Sequence, residues 1–218
     1  LKKFPLIDTT SVTNMRFAWG STDIDFFPAI QAPLCTNFES TWKSCSALTS
    51  FPAGAKLGTS ASNVNFQSAW ESSGLTSFPS DIDLSKGTTF TNTWRSTNLN
   101  SFNTPLPNGT TFYAAWRDCT NLSSFSSEIN GTNVRFTWYG CSSLTSFLTP
   151  LPLAQRLDLA WQNCTSLLDF SADVFANWNP STISTGIFNG TWDGCTSLTA
   201  QSVENILTSI DASGQYAT

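Results

Sequence analysis

The sequence predicts a β-solenoid: about eight stacked repeats of 22–31 residues, a parallel sheet along one face, and a helix capping the C-terminal end. Three observations predict it. One frame of aromatic and aliphatic residues recurs along nearly the whole chain, its period is too short for a paired-helix repeat, and an amphipathic segment follows the last copy.

The frame is clearest at Phe112, Trp116, Cys119, Leu122 and Phe125. It returns without a gap at Phe38/Trp42/Cys45/Leu48/Phe51, Val134/Trp138/Cys141/Leu144/Phe147 and Leu157/Trp161/Cys164/Leu167/Phe170. A form one residue shorter stands at Met15/Trp19/Ile24/Phe27, Phe66/Trp70/Leu75/Phe78 and Phe90/Trp94/Leu99/Phe102, with Thr22, Ser73 and Thr97 at the Cys position. The eighth copy, Phe188/Trp192/Cys195/Leu198, has Gln201 where the last Phe belongs. Trp178 alone lies outside the frame. The other eight Trp residues are expected in the core.

Within a copy, Leu-x-x-Phe followed by Pro or Ser reads as a short strand, and the i, i+4 apolar pair ending at the Trp suits a turn of helix or 3₁₀ helix. One copy cannot bury its own Trp and Phe. Stacking copies at the strand spacing of about 4.8 Å makes a continuous core and a rod roughly 40 Å long. Five of the six Cys (Cys45, Cys119, Cys141, Cys164, Cys195) share one repeat position. In-register side chains stand a full rung apart, too far for the ~3.8 Å Cβ separation of a disulfide, so they are expected as buried thiols. The absence of His and of any CxxC pair argues against a metal centre, and no cofactor is expected.

The 218 residues are 40% hydrophobic and only 11% charged, with Ser, Thr and Asn in place of charge, a surface common outside cells. A net charge of −5 gives no reason to expect nucleic acid and disfavours an anionic membrane. No apolar run approaches ~18 residues, so no membrane insertion is expected. Leu1-Lys2-Lys3-Phe4-Pro5 matches the second half of a repeat, as in Leu48-Thr49-Ser50-Phe51-Pro52, so these residues read as a piece of a longer protein beginning in mid-repeat.

Segments such as Tyr139-Gly140-Cys141-Ser142-Ser143-Leu144-Thr145-Ser146-Phe147 and Asp8-Thr9-Thr10-Ser11-Val12-Thr13-Asn14-Met15 resemble BspA-like leucine-rich repeats, found in bacterial surface proteins and many marine bacteriophage proteins. Trp replaces the usual Phe before the Cys, and Phe-Pro stands where Leu-Asp-Leu often follows, which resembles the phage versions most. The resemblance implies a right-handed leucine-rich-repeat solenoid, a role in adhesion or recognition, and a place on a virion or bacterial surface. It supplies no catalytic motif.

The repeats are assigned to 1–198 and the helical cap and tail to 199–218. An insertion at Asp173–Pro180 reads as a short helix ended by Pro. In the cap, Val203, Ile206 and Ile210 are the expected buried face.

Without His, Ser-His-Asp and Cys-His catalysis is excluded. Asp23/Asp25 and Asp81/Asp83 put two carboxylates about 7 Å apart on one face of an extended segment, near the inverting-glycosidase spacing and able to offer oxygen ligands to calcium. Such pairs also arise in ordinary surface turns. With the phage or bacterial source that the resemblance implies, Asn-x-Ser/Thr at Asn108, Asn121, Asn130, Asn163 and Asn189 reads as turn chemistry, and a eukaryotic source would make these glycan sites. A hydroxyl ladder (Thr49-Ser50, Thr76-Ser77, Ser123-Ser124, Thr145-Ser146) offers a flat polar strip suited to sugars or a protein edge, and equally to keeping a sheet soluble. Tyr113, Tyr139 and Trp178 are the candidate exposed aromatics within it. Lys43, Arg95 and Arg117 form a sparse basic row, with Glu71 among them.

The expected function is non-enzymatic recognition of a surface glycan or protein receptor. A structural spacer is the alternative, a glycan-cleaving solenoid a distant third. End-to-end assembly through the open N-terminal repeat is a further expectation.

Overall fold

A computed structural model describes residues 2–182 and 185–215. Its strands are short and pair in parallel: β1 (Gln31–Ala32) with β2 (Lys56–Leu57), β3 (Val64–Asn65) with β4 (Gly87–Thr89), β5 (Ser101–Phe102) with β6 (Ser124–Phe125), and β7 (Ser146–Phe147) with β8 (Asp169–Phe170). One helix, α1 (Ala200–Ala212), follows, and no closed barrel forms among the described residues. In β5 and β6 the Ser is exposed and the Phe buried, the two-residue alternation of a sheet with one wet face.

A second column of parallel bridges runs five residues before each of the first seven repeat Trp residues, through Asn14, Asn37, Asn65, Thr89, Thr111, Asn133 and Arg156. Where Asn holds this place its side-chain oxygen accepts the N–H two residues on, at 2.9 Å from Arg16 to Asn14 and 3.0 Å from Glu39 to Asn37. This Asx turn starts the Trp segment.

The Trp segment is a chain of turns rather than the expected helix or 3₁₀ helix. Within one copy the N–H groups of Ala115, Arg117 and Cys119 reach back to the carbonyls of Phe112, Ala114 and Trp116 at 3.0–3.2 Å. The alternate N–H groups, from Phe112, Ala114, Trp116 and Asp118, donate instead to Asn133, Arg135, Thr137 and Tyr139 of the next copy at 2.8–2.9 Å. Two left-handed residues enforce this alternation, Ala114 (φ 53°) and Asp118 (φ 60°), two places either side of the Trp. A right-handed helix cannot pass through them.

Stacking then follows the register. Trp42, Trp70, Trp94, Trp116, Trp138 and Trp161 are wholly buried, while the terminal Trp19 and Trp192 are half-buried. Adjacent indoles lie nearly parallel, for example Trp94 and Trp116 at 5.1 Å and 6°. The Phe column packs edge-on against them, as Phe125 does at 4.8 Å and 72° to Trp116. These are the favourable offset and T-shaped geometries.

All six cysteines are free thiols. Cys119, Cys141 and Cys164 are buried, and each donates S–H to the Trp carbonyl of the preceding copy, at 3.0 Å for Cys119 to Trp94 and 3.1 Å for Cys141 to Trp116 and for Cys164 to Trp138. Cys45 and Cys195 repeat this bond to Trp19 and Trp161. Burial pushes the Cys119 thiol up to about 11, so it stays protonated and able to donate.

The insertion forms a 3₁₀ turn at Ala172–Val174, and α1 closes the end of the sheet. Ser202 of α1 accepts from the Phe170 N–H at 2.9 Å and donates to the Leu168 carbonyl at 2.9 Å. Asn205 donates to the Phe170 carbonyl at 2.9 Å. These side chains satisfy backbone groups that another strand would have taken. They also turn the helix away from the expected face: Ser202, Ile206 and Ser209 are buried, Ile210 is half-buried, and Val203 is 45% exposed. No helix of the described residues is long and apolar enough to cross a membrane.

Candidate functional site

The left-handed position two residues before the Trp favours Gly, Asn or a small residue. Gly190, Asn92, Ser40 and Ser68 obey this. Phe17 (φ 57°), Phe136 (φ 56°) and Leu159 (φ 62°) do not. A bulky side chain held there costs about 1–3 kcal/mol and persists only where its surroundings fix it.

Around Phe136 those surroundings are an aromatic and arginine patch. Its ring lies 5.5 Å from Tyr113 and 5.9 Å from Tyr139. The Arg117 guanidinium stands 5.4 Å from the Phe136 ring and 4.7 Å from that of Tyr139, and Arg135 lies 5.6 Å from Phe136 and 5.9 Å from Tyr113. All three rings are half-buried, so each keeps area open to solvent. Asn163 donates to the Tyr139 hydroxyl at 3.3 Å.

The repeat brings these groups together. Tyr113 precedes Trp116 by three residues and Arg117 follows it, while Arg135 and Phe136 precede Trp138 and Tyr139 follows it. Stacking the two segments sets one group above the other. Acidic neighbours hold the guanidinium groups in place: Arg117 Nε lies 3.3 Å from Asp118 Oδ2, Arg95 Nε 3.9 Å from the same oxygen, and Arg135 hydrogen-bonds Asp158. A groove of about 490 Å³ adjoins the patch through Arg135 and is lined also by Arg156, Asp158, Thr185, Gly186 and Asn189.

The hydroxyl strip is a separate surface. Thr76, Ser123 and Thr145 each donate back to a carbonyl of the preceding copy at 3.0–3.3 Å, leaving their oxygen lone pairs outward. Beside it a groove of about 580 Å³ is lined by Ser124, Ser146, Glu128 and the exposed Leu148. Neither Tyr113 nor Tyr139 contributes to this lining; both belong to the Trp-turn patch.

Trp178 is not a surface aromatic. It is 1% exposed, and its Nε1 donates to the Ala154 carbonyl at 2.6 Å, so the insertion uses it as core. Phe136 and Arg135 were not singled out from the sequence. The available signal was a Phe at a repeat place otherwise held by Ser, Asn, Ala or Gly in five copies.

Asp23, Asp25, Asp81 and Asp83 are exposed, with Ile24 and Ile82 buried between them. Hydrogen bonds from Ser85 hold the Asp83 carboxyl below its ordinary range, opposite to what a general acid requires. Among the described residues no three metal-ligating side chains converge. Lys43 of the basic row pairs with Glu71 at 3.0 Å. The Asn108 and Asn130 side chains donate to the Ser85 and Pro107 carbonyls of the copy before, serving the loop ladder. No family model matches the chain, and neither a curated protein nor a solved structure matches it.

Proposed function

We propose that the chain is a non-enzymatic recognition module that binds a surface receptor through the Tyr113–Phe136–Tyr139 patch. The observation that carries this reading is Phe136, a large apolar ring kept half-exposed in a backbone conformation that a smaller residue adopts at less cost. Open aromatic faces beside guanidinium and amide donors suit a sugar, whose C–H face packs on rings while its hydroxyls take hydrogen bonds. A protein receptor is the other class such anchors serve.

The parallel pairs and continuous ring stacks support a solenoid of leucine-rich type, with α1 as its cap. The resemblance to BspA-like repeats supports a location outside cells, on a phage particle or bacterial surface. Exposed Phe17 and Phe26 support assembly through the first repeat.

A glycan array and a bacterial-surface binding screen test the reading with the 218-residue chain and a Tyr113→Ser/Phe136→Asn/Tyr139→Ser variant. Binding by the parent and not by the folded variant supports it. Absence of binding by both turns the assignment to a structural spacer.

A further inference from the structure

We infer that the receptor of this patch is an acidic polysaccharide with a carboxylate taken by Arg156. This rests on the recognition reading above and names the class of ligand. The chain has five arginines, and four of them (Arg95, Arg117, Arg135, Arg156) come from four consecutive copies of the repeat. The structure links them across one face. Arg95 and Arg117 share Asp118, Arg117 and Arg135 flank the Phe136 ring, and Arg135 and Arg156 line the same groove.

Two carboxylates, Asp118 and Asp158, stand against these four guanidinium groups, so the surface is locally positive on a chain of net charge −5. At physiological ionic strength screening acts over about 8 Å, so a ligand at the groove meets this local field rather than the charge of the whole chain. Arg156 is exposed and forms no ion pair among the described residues. Its planar guanidinium matches a carboxylate in a two-bond fork.

Ring faces and cations adjoin here, which divides the work along one polymer. Sugar rings pack on Tyr113, Phe136 and Tyr139, and a carboxylate on the same or the next sugar reaches the groove. Single-stranded nucleic acid also stacks on aromatic rings, but it carries a phosphate on every nucleotide and needs a tract of unpaired Lys and Arg. Of these four, Arg156 alone forms no ion pair among the described residues, although Asp158 lines the same groove.

The test is binding to a panel of carboxylated polysaccharides (polygalacturonate, alginate, hyaluronate and polysialic acid), each beside its methyl-esterified or carboxyl-reduced form, with oligothymidylate included. The expected result is binding to at least one acidic member, weakened about tenfold or more when its carboxyls are masked, the usual worth of a charged hydrogen bond. Raising the salt weakens that binding. Arg156→Gln loses it with thermal unfolding unchanged, and Arg156→Lys restores it in part. Preference for neutral or masked forms, or for oligothymidylate, overturns the acidic-polysaccharide assignment while leaving a binding module. No binding to any member, by a chain that binds nothing in the wider screen, overturns both.

Discussion

Replacing Phe136 by Asn separates the cost of holding the patch from the stability of the core. Phe136 has φ 56°, and Asn92 already occupies the same repeat place at φ 53°. An L-residue in this region costs about 1–2 kcal/mol, most of which Asn recovers. Against this stands the loss of a half-buried ring, about half of the ~1.5–3 kcal/mol for a fully buried one, and of two cation–π contacts at ~0.5–1 kcal/mol each. The losses exceed the gain, so Phe136→Asn is expected to lower the unfolding free energy by about 1–2 kcal/mol. Urea unfolding followed by Trp fluorescence reads the stability, and the glycan screen reads the binding. A loss of more than about 3 kcal/mol would place Phe136 in the core and refute the reasoning. So would full retention of binding.

Other expectations follow from the stack itself. Trp116→Ala removes a wholly buried indole from between Trp94 and Trp138 and is expected to cost about 3–5 kcal/mol by urea unfolding; a cost under ~1 kcal/mol would contradict its place in the column. Alkaline titration tests the thiols. The Cys119 pKa is raised in the folded state from 9.0 to about 11, so its contribution is fully present below pH 9 and is lost as pH rises through about 11. Thiol-reagent labelling should therefore be slow in the folded chain at pH 8 and fast in denaturant, with unfolding free energy falling between pH 9 and 11.

The parts of the molecule governed by repetition were legible in the sequence. A Trp every 22–31 residues marks the column, and a Cys three places later implies a thiol in register with the next. The turn conformation was not legible, because an apolar i, i+4 pair fits a helix as well as a chain of turns. The deciding feature is a backbone sign change at residues such as Ser40, Ala114 and Asp118, of which Ser and Ala give little sign. Face assignment failed where side-chain hydrogen bonds overrode apolar periodicity, as Ser202 and Asn205 do in α1. Trp178 misled for a related reason: it lies outside the frame, yet the insertion folds back and buries it. The patch was hidden with the turn conformation, since the left-handed backbone at Phe136 sets which residues of adjacent turns meet.

The most direct measurement is the folding of a chain shortened by one repeat. Deleting residues 117–138 joins Trp116 to Tyr139 and removes one period of 22 residues, leaving every remaining turn in register. Stacked repeats that contact only their neighbours require this chain to fold cooperatively, with the same circular-dichroism signature and a lower thermal midpoint. Deletion of 117–127, half a period, breaks the register and should leave the chain unfolded or aggregated. Equal loss of folding in both would contradict a stack of interchangeable repeats.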